Sequence, residues 1–460
     1  MTAASSSGSA RFIVGDTRDV TATLPDGSVD LVMTSPPFLA LRSYLPADHP
    51  DKHREIGSEP TPAAFIDTLL ALTAEWSRVL GPYGTLAVEL GDTYSGSGGA
   101  GGDCGDYNDG GLRDGQARFN GSARKRAEAG VIDGGRPPRN GRRVRAEDVA
   151  AGILAPTRRP GPDDRDRIEG WPLAKSKALI PELYRIGLAY GINPLTGAPS
   201  PAGRWRVRNV VTWCRPNPPV GALGDKFRPA TSDLVIACRA TDRWFDLDAV
   251  RTEAIDQRVR TTNGRKMAEG DAAEVMTANY TERVPSNPAG SPPLDYWVIP
   301  PGGYPGSHYA VYPPELCRIP IEAMCPRQVC VACGKPRRRI VEPTNAVGHA
   351  VGRTAWTRDA ATAALMHSGA ITVDANHASV PDVAERVTLG WTDCGCDAAG
   401  WRPGIVFDPF AGSGTTLAVA VGHGRNAIGI DIDERNADLA RERVGMFLEV
   451  EHHTPAVTHG

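Results

Sequence analysis

The stretch FDPFAGSGTT, residues 407–416, decides the fold, because an apolar strand pattern changes there into a helical one. The strand pattern covers residues 405–407, and the helix begins at about Gly414. A second strand pattern follows at residues 427–430, and another helix begins at Glu434. Strand, Gly-rich turn, helix and strand in this order predict a βαβ unit with a following helix.

Strand and helix patterns also alternate outward from this unit, in the N-terminal part of the chain. Apolar runs predict strands at residues 11–16, 29–35, 84–90, 207–213 and 233–239, and helical spacing predicts helices at residues 61–80 and 175–190. Such alternation is typical of an α/β domain with a parallel, doubly wound, Rossmann-like sheet.

Composition favours a soluble globular protein. Hydrophobic residues make up 41% and charged residues 23%, which is ordinary for that class. We see no apolar run of bilayer-spanning length. The N-terminal MTAASSSGSA lacks the basic start and apolar core of a secretion signal, so we expect a cytoplasmic protein without a membrane partner.

Positive charge is concentrated in one polar stretch. Between Arg118 and Arg145 there are nine Lys or Arg against two acids, Glu128 and Asp133, although the whole chain has a net charge of -3. A basic, Gly-rich loop can follow a phosphate backbone. A solvated charge run explains the same pattern equally well. Both interpretations stay open on this stretch alone.

Glycines and acids around FDPFAGSGTT predict a nucleotide-like ligand. Gly412 and Gly414 permit close approach of the backbone, and Asp431 lies about twenty residues further on, where a carboxylate can hold both hydroxyls of a ribose. Neither the GxGxxG pattern nor the lysine of a phosphate-binding loop is present. Asp408 would repel a phosphate but suits a ligand with an ammonium and a sulfonium cation, such as S-adenosylmethionine.

A second motif, Ser35-Pro36-Pro37-Phe38, directly follows a predicted buried strand. Two prolines fix the backbone and remove two N–H donors, which leaves carbonyl oxygens to accept the hydrogens of an exocyclic amino group. The Ser35 hydroxyl is a further acceptor, and Phe38 offers a face for a base removed from its stack. Alone, this motif is more often a proline-rich turn; its combination with the 407–416 loop favours the catalytic interpretation.

Together these motifs resemble the amino-methylating DNA methyltransferases of the permuted beta arrangement. In that family a tetrapeptide of the form [DNS]PP[YF] lies near the N-terminus and a DPFxGxGTT loop lies near the C-terminus. The resemblance extends through LGDTY at residues 90–94, VVTWCRPNPP at residues 210–219 and RWFDLDAVR at residues 243–251. It implies a circularly permuted methyltransferase sheet in which the two loops meet. It further implies action on duplex DNA, with a cognate restriction enzyme as a partner to look for.

The resemblance also assigns cofactor-binding residues. Asp408 and the backbone from Phe410 through Gly412 to Gly414 would hold the methionine end, with Thr415 as a hydroxyl contact. Asp431 would bind the ribose, and Asp16 would accept from the adenine amino group. Arg42, Tyr44 and His53 follow the SPPF motif and are candidates for the base pocket, with surface positions equally compatible with their spacing.

The cysteines predict a structural zinc site. Cys330 and Cys333 form C-x-x-C before Gly334-Lys335, and Cys394 and Cys396 supply a second pair, so that four thiolates can close a tetrahedral site. Cys325 is a reserve ligand, and a redox pair is the weaker alternative. The remaining cysteines are expected to be buried thiols: Cys104, Cys214, Cys238 and Cys317.

The predicted organisation follows from these assignments. It comprises a leader (1–10), a catalytic half (11–94), a basic insertion (95–170), a continuation of the catalytic half (171–250), a candidate recognition insertion (251–300), a connecting helix region (301–324), a zinc-knuckle insertion (325–400), a cofactor half (401–450) and a tail (451–460). Ser35 favours cytosine N4 over adenine N6 as the target. The competing classes are an inactive zinc-containing DNA-binding protein and a methyltransferase acting on RNA or on a glutamine side chain.

Overall fold

The structure, a computed structural model, describes residues 8–41, 45, 49–95, 169–218, 226–252, 291–301, 312–343, 386–396 and 400–453. Four predictions lie outside these residues: those for Arg42, Tyr44, Cys104 and the basic stretch between Arg118 and Arg145. Most of the candidate recognition insertion, residues 253–290, also lies outside them.

A nine-stranded sheet organises the described part of the chain. Thirteen strands are assigned within the described ranges: β1 (Ala10–Val14), β2 (Val29–Thr34), β3 (Leu80–Leu90), β4 (Arg206–Cys214), β5 (Thr231–Cys238), β6 (Tyr296–Val298), β7 (Val329–Cys330), β8 (Arg339–Pro343), β9 (Arg386–Trp391), β10 (Trp401–Arg402), β11 (Ile405–Asp408), β12 (Asn426–Asp431) and β13 (Leu448–His452). The large sheet has the order β13-β1-β12-β11-β2-β3-β5-β4-β6. Only β5 runs antiparallel to its neighbours in it.

Strands from the two ends of the chain meet in the centre of this sheet. β11 pairs in parallel with β2, with Val406 opposite Leu31 and Phe407 opposite Val32. All six residues of β2 are buried, as its continuous apolar run predicts for a central parallel strand. The predicted adjacency of the SPPF strand and the 407–416 strand is therefore confirmed, and the loops that follow these strands lie at the same edge of the sheet.

The described helices are α1 (Thr17–Thr23), α2 (Pro62–Val79), α3 (Ile180–Tyr190), α4 (Pro314–Met324), α5 (Thr415–Gly422) and α6 (Arg435–Val444). The helix predicted at residues 61–80 is confirmed. Thr61 caps α2 by accepting a hydrogen bond from the Ala64 N–H at 3.2 Å, and the helix gives way to β3 just before Gly81-Pro82. Its apolar residues at helical spacing, among them Phe65, Leu69 and Trp76, are fully buried.

Two parts of the sequence prediction differ from the structure. The helix expected from Lys175 begins only at Ile180, because Lys175 and Leu179 adopt positive φ angles of 70° and 61°, which interrupt a right-handed helix. The short helix α1 and the edge strand β13 were not predicted, since neither has enough residues to show a clear period.

The described residues divide into two compact units. The first contains Met1–Phe245, Asp295–Pro336 and Ala398–Gly460, and it includes the large sheet. The second contains Asp246–Leu294 and Arg337–Asp397. In this second unit β8 and β9 form an antiparallel pair, and Arg339 forms an ion pair with Asp246 at 2.8 Å. Within the described ranges no helix has the length and apolar character needed to cross a bilayer.

Candidate functional site

The loop between β11 and α5 contains two glycines in the left-handed region, with φ of 50° at Gly412 and 76° at Gly414. They serve different purposes. Gly412 lines a cavity, and its N–H donates to the Asp431 carboxylate at 2.8 Å. A Cβ at Gly414 would lie 2.9 Å from the Ala440 Cβ, so this glycine lets α6 pack closely against the loop. Close packing of α6 is therefore one reason for a glycine at position 414, and ligand approach at Gly414 stays a prediction.

Asp408, at the end of β11, is fully buried and faces the protein interior. Its Oδ1 accepts hydrogen bonds from the Thr34 hydroxyl at 2.6 Å and the Phe410 N–H at 3.1 Å. Its Oδ2 accepts from the Tyr312 hydroxyl at 3.0 Å and the Thr416 hydroxyl at 2.5 Å. Burial raises the pKa of this carboxyl, and the hydrogen bonds partly offset that shift.

The surroundings of Asp408 differ from those expected for a ligand-binding carboxylate. This carboxylate was expected to face the ligand, but it is not among the residues that line the cavity. It instead connects β2, through Thr34, to the start of α5, through Thr416. Since Thr34 precedes Ser35 directly, one carboxylate joins the two predicted loops.

Asp431, at the end of β12, does line the cavity. It accepts hydrogen bonds from the Gly412 N–H (2.8 Å), the Asp433 N–H (2.8 Å) and the Asn436 side-chain amide (3.0 Å). Its surroundings nevertheless raise its pKa to about 6, chiefly because burial disfavours the charged form. A carboxylate that is costly to ionise and borders a cavity is well placed to gain hydrogen bonds from a ligand.

Ser35, which directly follows β2, lines the same cavity. Its hydroxyl donates to Glu89 Oε2 at 2.6 Å. Glu89, near the end of β3, is 3% exposed, and burial raises its pKa, while hydrogen bonds from Ser232 and Ser35 lower it. Glu89 was not predicted from the sequence, although a lone acid in the apolar strand GTLAVEL was a usable signal.

The other residues of the SPPF motif hold this loop in place. Pro37 lines the cavity, whereas Pro36 is buried. Phe38 is half-buried with its ring against Gly91, where a Cβ would lie 2.4 Å from ring carbon Cε2. Gly57, with φ of 92°, accepts a hydrogen bond from the Ala40 N–H at 2.8 Å and so closes the loop.

The cavity brings together most of the predicted residues. Those that line it are Asp16, Ser35, Pro37, Phe410, Gly412, Thr415 and Asp431. Asp16 caps α1 by accepting from the Arg18 N–H at 2.8 Å, and its carboxylate also pairs with the guanidinium groups of Arg18 at 2.6 Å and Arg54 at 3.0 Å. His53 is exposed and lies outside the lining, so its surface interpretation is the one that the structure supports.

Several lining residues were not predicted from the sequence: Thr17, Arg54, Glu55, Ile56, Tyr312, Pro409, Ile432 and Asn436. Ser413 belongs to the predicted stretch from Phe410 to Gly414 and also lines the cavity. Its hydroxyl is buried, and among the described residues it has no hydrogen-bond partner. A buried hydroxyl of this kind at a cavity wall marks a place where a ligand can supply the partner.

The predicted zinc ligands lie on two short turns, one in each unit. The Gly334 N–H donates to the Cys330 carbonyl at 3.0 Å, and the Cys330 N–H donates to the Lys335 carbonyl at 2.9 Å. In the second unit the Asp393 carboxylate accepts from the Cys394 N–H at 2.7 Å, next to Gly395 and Cys396. Zinc binding by these four cysteines stays a prediction.

The other cysteines fall largely as expected. Cys325, the reserve ligand, is fully buried, and burial raises its pKa well above the ordinary thiol value. Cys238 and Cys317 are buried as predicted, whereas Cys214 is only half-buried.

Comparison with known proteins relates this chain to DNA methyltransferases. Residues 402–442, which include the loop between β11 and α5, match the family model described as DNA methylase. The Type II methyltransferase M.SmaI of Serratia marcescens is 21% identical over 437 residues, which cover 95% of this chain and 91% of that enzyme. The Type II methyltransferase M.SfiI of Streptomyces fimbriatus is 23% identical over 250 residues, 53% of this chain and 41% of that enzyme.

A solved structure is also similar to this chain. A putative DNA modification methylase of Thermus thermophilus, complexed with S-adenosyl-L-methionine, is 17% identical, with a TM-score of 0.37, and the match covers 96% of this chain and 98% of that chain. In sequence, the chain is thus similar to Type II DNA methyltransferases.

Proposed function

We propose that this protein is a site-specific DNA methyltransferase that transfers a methyl group from S-adenosylmethionine to the exocyclic N4 of a flipped cytosine in duplex DNA. One observation carries the proposal: Ser35 and Asp431, from opposite ends of the chain, line one cavity. An amine-binding hydroxyl and a ribose-binding carboxylate would thus serve a single transfer reaction.

The cavity residues fit the proposed cofactor. Asp431 would accept hydrogen bonds from the ribose hydroxyls, and the Ser413 hydroxyl, which lacks a partner among the described residues, would bind a polar group of the cofactor. Phe410, Ile56 and Ile432 provide apolar wall for the adenine ring. Asp16 stays the candidate for the adenine amino group. When bound, the cofactor supplies an electrophilic methyl group.

The protein residues would prepare and deprotonate the amine. The Ser35 hydroxyl donates its hydrogen to Glu89, so its oxygen lone pairs are free to accept an amino hydrogen of the base. The carbonyl of Ser35 or Pro36 would accept the other hydrogen. Both contacts would let the nitrogen lone pair leave conjugation with the ring as the new N–C bond forms.

Glu89 would then receive the proton. As the nitrogen gains the methyl group it becomes cationic and must lose one hydrogen. The Ser35 oxygen would take that proton while its own hydroxyl proton passes to Glu89 Oε2, so that charge and protons balance. The raised pKa of Glu89 makes it a better proton acceptor than an ordinary glutamate.

Ser35 also supports the choice of cytosine over adenine. The resemblance associates serine at this position mostly with cytosine-N4 enzymes, whereas Asp or Asn is common where adenine is the target. Adenine N6 is the alternative within the same fold. An inactive DNA-binding protein is disfavoured, because Ser35, Glu89 and Asp431 keep their chemistry; RNA and glutamine substrates remain the other classes to test.

The product identifies the target. We expect N4-methylcytosine when the protein is expressed in a methylation-free host and the DNA nucleosides are identified by mass. N6-methyladenine as the sole product would overturn the cytosine assignment and leave the reaction class standing. Labelling of RNA or peptide but not of duplex DNA in vitro would overturn the DNA assignment.

A pair of variants tests the division of roles. Ser35→Ala should lower turnover by about 10²- to 10⁴-fold, the usual contribution of a positioned acid–base group, and leave cofactor affinity nearly unchanged. Ser413→Ala is the matched control, because it should weaken cofactor binding and spare the methyl-transfer rate at saturation. If Ser35→Ala lost cofactor affinity as severely as Ser413→Ala, the proposed roles would be wrong.

The arrangement along the chain is a further part of this proposal. We infer a circularly permuted sheet, which is supported by the position of β11 and β12 between β1 and β2. A cognate restriction enzyme is the partner to seek in the same source. Structural zinc bound by Cys330, Cys333, Cys394 and Cys396 is also proposed. Metal analysis should give one zinc per chain, lost in the Cys330→Ser, Cys394→Ser double variant and kept in Cys214→Ser.

A further inference from the structure

The connection between β4 and β5 carries an exposed aromatic ring between two cations. Phe227 is 98% exposed, and its neighbours Lys226 and Arg228 are exposed as well. Single exposed apolar residues are common on protein surfaces, so exposure alone has no meaning here. Phe227 is a candidate for DNA contact because of its position relative to the catalytic loop.

Strand register places this connection at the catalytic edge of the sheet. Thr34, which precedes Ser35, lies opposite Val88 on β3, and two residues further along β3 Leu90 lies opposite Asp233, near the start of β5. The Arg215 N–H donates to the Ala230 carbonyl at 2.7 Å and closes the base of the connection. Both ends of the connection therefore emerge where the SPPF loop begins.

Side-chain contacts join this connection to the catalytic residues. The Arg215 guanidinium donates to the Ser232 hydroxyl at 3.0 Å. Ser232 hydrogen-bonds to Glu89, which accepts from Ser35 at 2.6 Å. A continuous set of contacts thus runs from the catalytic hydroxyl to the base of the β4–β5 connection.

Lys226 anchors the exposed ring on the other side. Its Nζ lies 3.5 Å from the centroid of the Tyr94 ring, a cation–π contact. Tyr94 follows β3 at the same edge of the sheet, close after Gly91, on which the Phe38 ring packs. Phe227 therefore projects into solvent from a root that is fixed beside the catalytic loop.

We propose that Phe227 inserts into the DNA base stack and fills the space that the flipped target base leaves, while Arg228 contacts a flanking phosphate. The proposal rests on the proposed function, because only an enzyme that extrudes a base opens such a space. Apolar wedges such as phenylalanine enter base steps in other DNA-binding proteins and stabilise the unstacked state. Adjacent cations suit the backbone on either side of the step.

The decisive experiment compares Phe227→Ala on two duplexes. One carries a normal pair at the target, and the other carries the same target opposite an abasic site, where the base has no pairing partner and is extruded at lower cost. We expect kcat/KM on the normal duplex to fall about 10- to 100-fold, since unstacking is no longer compensated. On the abasic duplex the variant should lie within about threefold of the parent enzyme.

Phe245→Ala is the matched control. Phe245 is 40% exposed but follows the end of β5, which lies at the opposite edge of the sheet because β5 is antiparallel to β3. It should behave as the parent enzyme on both duplexes. An equal loss on both duplexes for Phe227→Ala, or no loss on either, would overturn the insertion. Failure of the parent enzyme to methylate any DNA would refute the proposed function instead.

The phosphate contact has a separate readout. Arg228→Gln should weaken binding to duplexes of any sequence and reduce the slope of log affinity against log salt by about one, the change expected for one lost phosphate contact. Phe227→Ala should leave that slope unchanged. An unchanged slope in Arg228→Gln would remove the phosphate contact from the proposal.

Discussion

Asp408 and Asp431 end neighbouring parallel strands, β11 and β12, yet they face different surroundings. Both follow apolar strands, and both were assigned to ligand binding from sequence. Asp408 is fully buried and accepts four hydrogen bonds from the protein. Asp431 is half-buried, borders the cavity and has a pKa raised to about 6.

The difference is between a carboxylate that the protein supplies with four hydrogen bonds and one that borders a cavity. A fully hydrogen-bonded buried charge stabilises the residues around it, whereas a desolvated charge with access to a cavity can release its cost when a ligand binds. Asp408 therefore positions the two loops, and Asp431 is the group expected to contact the ligand. Substitution of Asp408 should therefore mainly lower stability, whereas substitution of Asp431 should mainly lower cofactor affinity.

The largest effect is expected at Asp408. Asp408→Ala removes the acceptor of three buried hydroxyl groups and one backbone N–H. We expect the free energy of unfolding to fall by about 2–4 kcal/mol, because unsatisfied buried donors are costly. Chemical denaturation measures it. Asp431→Ala is the control and should not destabilise the protein at pH 8, because the lost hydrogen bonds are offset by removal of a buried carboxyl that is costly to ionise. Equal destabilisation by both variants would erase the distinction.

Cofactor affinity should show the reverse order. Asp431→Ala should weaken S-adenosylmethionine binding by about 10- to 100-fold, the value of one or two hydrogen bonds to a charged group. Calorimetric titration would measure it. A folded Asp408 variant, such as Asp408→Asn, should bind within about threefold of the parent protein, because this residue does not line the cavity. A larger loss in Asp408→Asn than in Asp431→Ala would restore the sequence-based assignment.

Only part of the difference between Asp408 and Asp431 could be predicted from the sequence. The central β2 and β11, the helix α2 and the loop glycines could be recognised because apolar period and turn chemistry are local signals. The partners of Asp408 were not predictable in that way. Tyr312 lies 96 residues before it and Thr34 lies 374 residues before it, so only the fold reveals that their hydroxyls meet one carboxylate.

Glu89 shows the same limit from the other direction. Its strand was predicted, but the pattern of apolar and polar residues along a strand does not indicate which buried acid meets which hydroxyl. Ser35, by contrast, could be identified from its own motif, because two prolines after a strand constrain the backbone locally. Local chemistry was therefore predictable, and the long-range pairing that tunes it was not.

The pKa of Asp431 predicts a pH dependence. In the folded protein it is about 6, against about 4 for an unfolded chain, so the folded state retains this proton to higher pH. This group therefore contributes roughly 2–3 kcal/mol to the free energy of unfolding. The contribution is fully present below about pH 4 and is lost as the pH rises through about 6. Cofactor affinity should change in the opposite direction and fall about tenfold per pH unit below 6, because the carboxylate must be ionised to accept from the ribose.

Asp431→Asn provides the control for this titration. The amide does not ionise, so both pH dependences attributed to this group should disappear, and the variant should be more stable than the parent protein at pH 8. Affinity measured by calorimetry from pH 5 to 8 is sufficient. A parent protein whose affinity stays constant down to pH 5 would show that Asp431 is not the titrating contact.

The smallest effect is expected at Tyr312. Like Asp431 it lines the cavity, and like Asp408 it belongs to the buried hydrogen-bonded cluster. Its ring lines the cavity, while its hydroxyl donates to Asp408 at 3.0 Å. Tyr312→Phe keeps the ring and removes one of the four donors to Asp408, so the free energy of unfolding should fall by about 1 kcal/mol and cofactor affinity should stay within about twofold.

Tyr184→Phe is a matched control, because that buried hydroxyl pairs with Thr73 at 2.7 Å within the helical layer. Both variants should lose similar stability, but only Tyr312→Phe should reduce turnover, since only it loosens the link between the catalytic and cofactor loops. A tenfold loss of cofactor affinity in Tyr312→Phe would instead make the Asp408 cluster part of the binding site.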